Sequence, residues 1–397
     1  MSWLAVRNSK VVEMKQETVA PLAGVKVVEL GVWVAGPAAG GLMADWGADV
    51  IKVESAQGDP QRNMFQALGI DAQIGEPQFE IDNRGKRSVV LDLHSEDGKR
   101  EMLSLLGDAD VFITNVRLPA LRRLGLDPDA IRSQFPRVIY GLLTGYGSEG
   151  PDVDRPGYDI GAFWARSGLA HTMVSPDQLP PAIRSGQGDH TTGITLVSGV
   201  MAALFDRERT GQGRLVSTSL LRTGIYTLGW DIGVYLRFGK RESTKPRARL
   251  RAPLMNSYRC SGGRAFWLLG LEADRHWPAL IAAINRRDLA EDERYVDARA
   301  RLVNSESLIA TLDEIFASET IDVWTQKFDE HDVWWAPINS IPDVVVDSQA
   351  IAAGAFIEMN PREGQDPYRA VNSPVDFDGY TFRPGQVPWL GEHDPRW

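Results

Sequence analysis

The chain has 397 residues, too many for one simple core and enough for two domains of ordinary size, and its 43% hydrophobic and 24% charged residues are globular values. Its formal net charge of -10 argues against a nucleic-acid partner, which would need a broad basic face, but leaves room for local basic pockets. The lone cysteine, Cys260, excludes an intrachain disulfide and a cysteine metal cluster, fits a reducing, cytoplasmic location, and reads as a buried small hydrophobe.

Residues 1–20 read as an extension. Arg7, Lys10 and Lys15 break its apolar runs, so it lacks the uninterrupted stretch of a signal peptide. No segment approaches the roughly 20 apolar residues of a membrane span, so a membrane is not an expected partner. Residues 25–30 then read as a continuous apolar strand, the kind buried on both faces of a parallel sheet. Gly36-Pro37 opens a helix over residues 38–46, Gly47 is its left-handed cap, and residues 50–53 return as a strand. This is a βαβ unit with an expected right-handed crossover.

The pattern recurs as a strand at 88–93, a helix from the Ser95 cap to Leu106, a strand at 109–114, a helix at 118–124 and a strand at 138–143. Such alternation predicts an α/β fold, an open parallel sheet with helices on both faces. Residues 191–209 read as an amphipathic helix with Ile194, Val197, Val200, Met201 and Leu204 on its apolar stripe. TGQGR then turns into the strand LVSTSLL. Residues 238–252 are a basic linker, residues 253–330 form a smaller domain of short sheet and helices, and residues 333–341 read as a strand returning to the first domain.

The stretch SGQGDHTTG places Asp189 among Gly186, Gly188 and Gly193. One reading is a tight turn in which Asp189 or Thr191 caps the following helix. A dinucleotide site would need GxGxxG after a strand, and neither this stretch nor GVWVAG supplies that spacing. The third reading is an exposed carboxylate, kept ionised at a helix N-terminus, with glycines that let a bulky ligand approach; such a group is a competent nucleophile toward an activated acyl group. Two basic clusters, Arg84, Lys86 and Arg87 before one strand and Arg117, Arg122 and Arg123 around one helix, are either a solvated face or phosphate ligands. No histidine pair has metal-ligand spacing, so no metal site is expected. His190 adjoins Asp189, and Trp33 lies in the loop after the first strand, where open α/β sheets place ligands.

Taken together, PLAGVKVVEL, AGPAAGGLMADWGADVIKVE, NRGKRSVVLDL, DADVFITNVRLPALRRLGL, PRVIYGLLTGYG, RPGYDIGAFWARSG, GQGDHTTG with RTGQG, and VPWLGEHD run in the order found in the class III coenzyme A transferases (CaiB/BaiF type), from about residue 21 to the C-terminus. The chain resembles that family, which includes formyl-CoA transferase and carnitine CoA-transferase and is related to the alpha-methylacyl-CoA racemases. The resemblance implies a Rossmann-like large domain built from both chain ends (21–225 and 335–397), a small domain (226–334), and an interlocked homodimer. It implies an acyl-CoA:carboxylate CoA transferase that takes an acyl-CoA and a carboxylic acid, with coenzyme A thioester as substrate and no permanently bound cofactor. Asp189 matches the catalytic aspartate. Val34 and Ala35 match a CoA-contacting loop, Asn115, Val116, Ala120 and Arg123 a nucleotide-binding segment, and Tyr146 a residue near the pantetheine arm.

The chain departs from the family where Ser55 replaces an arginine common in transferases and Thr144 a lysine of one relative; Arg62 or Arg87 are the substitutes at hand for the CoA phosphates. The long glycine-rich loop of formyl-CoA transferase is not evident, which argues against formyl or oxalyl substrates. The alternatives are a racemase of the same fold and a non-catalytic nucleotide-binding protein. The racemases carry His before Asp in the segment matching PGYDIG, where this chain has Tyr158, a poor base near neutrality.

Overall fold

The computed structural model describes residues 19–70, 75–240, 243–359, 362 and 366–397, so residues 1–18 of the expected extension lie outside it. Two compact units result, one made of Met1–Ala170, Pro181–Gly239 and Ala353–Trp397, the other of His171–Pro180 and Lys240–Ala352. The division thus falls near residues 240 and 353, where the sequence placed it at 226 and 335.

The larger unit holds a six-stranded parallel sheet: β1 (Lys26–Leu30), β2 (Asp49–Glu54), β3 (Arg87–Val90), β4 (Val111–Thr114), β5 (Ile139–Thr144) and β6 (Leu215–Ser219), in the order β3-β2-β1-β4-β5-β6. Strand order reverses between β1 and β4, the place where open α/β sheets form a crevice at the carboxyl ends of their strands. Side chains alternate across the sheet. Val27, Val50, Val111 and Ile139 pack on helices α1 (Ala35–Asp45) and α5 (Gln187–Thr210), while Val28, Ile51, Phe112 and Tyr140 pack on the opposite face. Between α1 and α5 in sequence lie α2 (Pro77–Asn83), α3 (Glu96–Gly107) and α4 (Leu118–Leu124). The last two cover that opposite face through Met102, Leu105, Leu106, Leu118 and Leu121. Ser95 caps α3 as its position before the apolar period implies, its hydroxyl accepting from the Gly98 N–H at 3.0 Å.

Helix α5 buries most of its expected stripe, Val197 and Val200 fully and Met201 and Leu204 in part against the same core, together with Leu196 and Ala203, but it is rotated so that Ile194 lies 48% exposed. Gly193 sets this rotation: a Cβ there would lie 3.0 Å from the Ala35 carbonyl oxygen and 3.3 Å from Ala38 Cβ, so the small residue lets α5 cross close to α1.

In the smaller unit, β7 (Ser257–Arg259), β8 (Ala265–Leu268) and β9 (Trp335–Pro337) form an antiparallel sheet around Tyr258, Phe266, Phe316, Trp324 and Phe328, with Cys260 buried beside them. The strand expected to return to the larger domain is therefore β9, hydrogen-bonded to β8 in the smaller unit. A hairpin, β10 (Phe356–Met359) and β11 (Tyr368–Val371), belongs to the larger unit. The C-terminal tail is tied down there, the His393 N–H to the Ser88 carbonyl at 3.0 Å and the Trp397 indole to the Leu105 carbonyl at 3.1 Å. None of the described helices is long and apolar enough to cross a membrane.

Candidate active site

The loop joining β1 to α1 is fixed from four sides. Lys52 donates to the Gly31 carbonyl at 3.0 Å. The Asn115 side chain reads the Val32 backbone as a neighbouring strand would, accepting from its N–H at 3.0 Å and donating to its carbonyl at 2.8 Å. Asp59 accepts from the Trp33 N–H at 3.1 Å, and Lys86 donates to the Pro37 carbonyl at 2.9 Å. These contacts hold Trp33 at φ 62°, a left-handed conformation that costs a bulky residue on the order of 1–3 kcal/mol.

Beneath the loop lies a buried charge cluster. Glu29, within β1, accepts from Lys52 at 2.9 Å and from Lys86 at 2.6 Å, and Lys52 also meets Asp59 at 2.9 Å. Burial opposes ionisation of Glu29, but the two lysines overcome it and hold its carboxyl below the ordinary range. Glu54 at the end of β2 takes Arg62 at 2.6 Å and the Ser88 hydroxyl at 2.7 Å. The first basic cluster is engaged with acidic partners inside the fold. Arg84 pairs with Asp45 at 2.6 Å, Lys86 with Glu29, and Arg87 with Asp49 at 3.0 Å. Arg87 and Asp49 moreover begin their parallel strands, at the sheet edge opposite the β1–α1 loop.

Asp189 sits in the first turn of α5, which starts at Gln187, four residues earlier than the periodicity implied. It is neither a cap nor exposed. Burial, then the neighbouring Asp159, push its carboxyl up to about 7, with Asp82 adding to the effect and His190 opposing it. Asp159 is buried and accepts from the Ile160 N–H at 2.7 Å and the Gly188 N–H at 3.3 Å, so it occupies part of the α5 N-terminus. Gly188 serves packing: a Cβ there would lie 2.7 Å from the Phe163 ring and 2.9 Å from Asp159 Cβ. Gly186, at φ 80°, turns the chain into the helix under Val34. His190 meets the buried Asp82 of α2 at 2.9 Å.

Around this carboxylate the expected residues divide. Val34 lies over Gly186, and the Ala35 carbonyl faces Gly193. Trp33, 37% exposed, meets the exposed Tyr158 edge-on at 6.1 Å. Tyr146 backs the segment that carries Tyr158 and Asp159, its ring against Gly157 and under the Arg166 guanidinium at 5.0 Å. Trp164 is tied by its indole to the Pro181 carbonyl at 3.0 Å. Val116 lines a cleft of about 530 Å³ at the carboxyl ends of β1 to β4, together with Gly31, Val32, Ser55, Asp59 and His94. Ala120 and Arg123 belong to α4, next to that cleft's Leu124, and the exposed Arg117, Arg122 and Arg123 form no ion pair among the described residues. Thr144 is internally bonded, accepting from the Gly147 N–H at 2.9 Å.

Sequence reasoning missed Asp82, Glu29, Lys52 and Asp59. For Glu29 and Lys52 a signal existed, a charge inside strands read as apolar; Asp82 is one carboxylate among many.

A family model described as CoA-transferase family III matches residues 22–394. The (R)-2-hydroxy-4-methylpentanoate CoA-transferase of Clostridioides difficile is 33% identical over 374 residues, covering 94% of this chain and 93% of that protein. The cinnamoyl-CoA:phenyllactate CoA-transferase of Clostridium sporogenes is 33% identical over 371 residues, covering 89% and 87%. A solved structure, that of a CaiB/BaiF family protein from Brucella suis, aligns with a TM-score of 0.81 at 31% identity, over 94% of this chain and 97% of that one.

The raised Asp189 carboxyl has a consequence for stability. Between about pH 4 and about pH 7 the folded chain keeps a proton that the unfolded chain has released, so stability falls as pH rises through that window. Asp189→Asn should therefore stabilise the protein by about 2 kcal/mol near pH 8, less than the full shift implies because solvent screens the group, and change little near pH 4. Thermal unfolding at the two pH values measures it; an equal effect at both would contradict the assignment.

Proposed function

The chain belongs to CoA-transferase family III, and on that premise we propose that it moves coenzyme A between carboxylic acids with Asp189 as the nucleophile. The observation that carries this reading is a half-buried carboxylate in the first turn of α5, below a clamped loop that leads into the crevice where strand order reverses. Ionised Asp189 attacks the thioester carbonyl and expels CoA thiolate, leaving an acyl-aspartyl anhydride. The thiolate attacks the aspartyl carbonyl, releasing the first acid and leaving an aspartyl-CoA thioester. The acceptor carboxylate then reverses the two steps, and the thioester energy is kept because water never takes the acyl group. The N–H groups of Ala35 and Gly36, at the start of α1, are the donors at hand for the oxyanions.

In this reading the 530 Å³ cleft takes the nucleotide end of coenzyme A, with Val116 on its wall and Arg122 and Arg123 for phosphate. Arg62 and Arg87, already paired, are set aside. The Trp33–Tyr158 wall favours an acyl group larger than formyl. Both relatives named above act on such acids. A racemase is disfavoured because Tyr158, a poor base near neutrality, stands where the racemases carry histidine.

The reading includes a homodimer. The helix Gly229–Phe238 buries none of its residues, and Tyr226, Trp230, Leu236 and Phe238 stand 85%, 89%, 79% and 65% exposed, an apolar surface that a second copy would cover. Light scattering should report a dimer that persists on dilution; a monomer would contradict this part.

Asp189→Ala and Asp189→Asn should still bind coenzyme A while transfer falls by at least about a thousandfold, measured by mass spectrometry over a panel of acyl-CoA donors and carboxylic acids. Substantial activity in either variant would overturn the mechanism, and activity with formyl-CoA alone would overturn the assignment of a larger acyl group.

A further inference from the structure

The Asp189 site gathers three carboxylates. Asp189 on α5, Asp159 ahead of it in the chain and Asp82 on α2 lie close enough for each of the other two to oppose ionisation of Asp189. Two are buried, at 7% exposure for Asp159 and 2% for Asp82. Burial first, then these like charges, push the Asp189 carboxyl up to about 7, and a carboxylic acid is a poor nucleophile. One cationic group faces the trio. His190, the residue after Asp189, places Nε2 2.9 Å from Asp82 Oδ1, and its Nδ1 side lies against Gly186. Asp82 Oδ2 has no partner among the described residues, so His190 is the only side chain hydrogen-bonded to this buried carboxylate. Burial pushes the Asp82 carboxyl above its ordinary range, against the bond from His190 and the charge of Lys86 behind it, and Glu29 adds to the rise.

We infer that His190, anchored by Asp82, is a positioning residue whose imidazolium keeps Asp189 ionised for attack, an inference that rests on the nucleophilic role of Asp189. The geometry supplies the reason for Asp82. A neutral imidazole needs no buried anion, whereas an imidazolium gains a charge-assisted bond from one. In agreement, His190 holds its proton more firmly than an ordinary histidine: burial works against the charge, but Asp82, Asp189 and Asp159 together outweigh it. The pair thus sets the acid limit of the reaction without touching the acyl group.

The test is the first half-reaction, release of coenzyme A from an acyl-CoA in a single turnover, followed from about pH 5 to about pH 9. In His190→Gln the acid limb should move up by about one unit, making the variant about tenfold slower near pH 6, while the rates converge with wild type near pH 9, where Asp189 ionises unaided. His190→Lys restores a cation and should bring the limb back. A His190→Gln profile that is unshifted, or lowered by one factor at every pH, overturns the inference and leaves a structural role. Proton NMR of the His190 imidazole gives a second measurement that needs no turnover: in Asp82→Asn it should titrate at lower pH than in wild type, and an unchanged titration overturns the pairing. Asp189→Asn separates the two levels. If that variant still releases coenzyme A in the burst, the nucleophile assignment itself is wrong, whatever His190 does.

Discussion

Glu29 is the constraint on which the site's geometry rests. A carboxylate in the middle of a buried parallel strand is costly to desolvate, and it is tolerated because Lys52 and Lys86 each bring a charge-assisted bond to it. The same two ammonium groups reach past Glu29 to the carbonyls of Gly31, at the start of the β1–α1 loop, and Pro37, in the first turn of α1. Replacing such a cluster with well-packed apolar residues is often neutral or stabilising, so stability alone gives little reason for it. It fixes a loop that must hold Trp33 left-handed and set Val34 over the Asp189 turn.

Packing and electrostatics converge at that turn. Gly193 lets α5 approach α1, and Gly188 lets it approach Phe163 and Asp159. Close approach buries Asp189 beside a second carboxylate, which lifts its protonation toward neutrality, and His190 acts in the opposite sense. A buried carboxylate whose ionisation is opposed in this way destabilises the folded chain in its charged form, the trade between activity and stability expected if Asp189 is the nucleophile.

Much of this was legible in the sequence, and the failures have identifiable causes. Strand and helix alternation gave the sheet because its inner strands are buried on both faces and so read as continuous apolar runs, and Asp189 stood out because it lies among glycines before a helix. Two features misled. Clustered arginine and lysine suggested a phosphate site, but a basic run in sequence does not reveal its partners, and Asp45, Asp49 and Glu29 reach Arg84, Arg87 and Lys86 only through the fold. The apolar stripe of α5 held for Val197, Val200, Met201 and Leu204 but not at its start, where close contact with α1 puts Gly193 inside and leaves Ile194 outside. Asp82 was invisible for the first reason: its importance lies in a partner more than a hundred positions away.

The central claim, covalent transfer through Asp189, leaves an isotopic trace. When an acceptor acid attacks the aspartyl thioester, one of its oxygens becomes the bridge of the anhydride and stays on the aspartate after coenzyme A departs. Turnover in ordinary water with an acceptor carrying heavy oxygen in its carboxylate, followed by proteolysis and mass spectrometry, should therefore place the label in the peptide of residues 185–207, on Asp189. Label absent from the protein while acyl-CoA product forms, or found on Asp159 instead, would contradict the account.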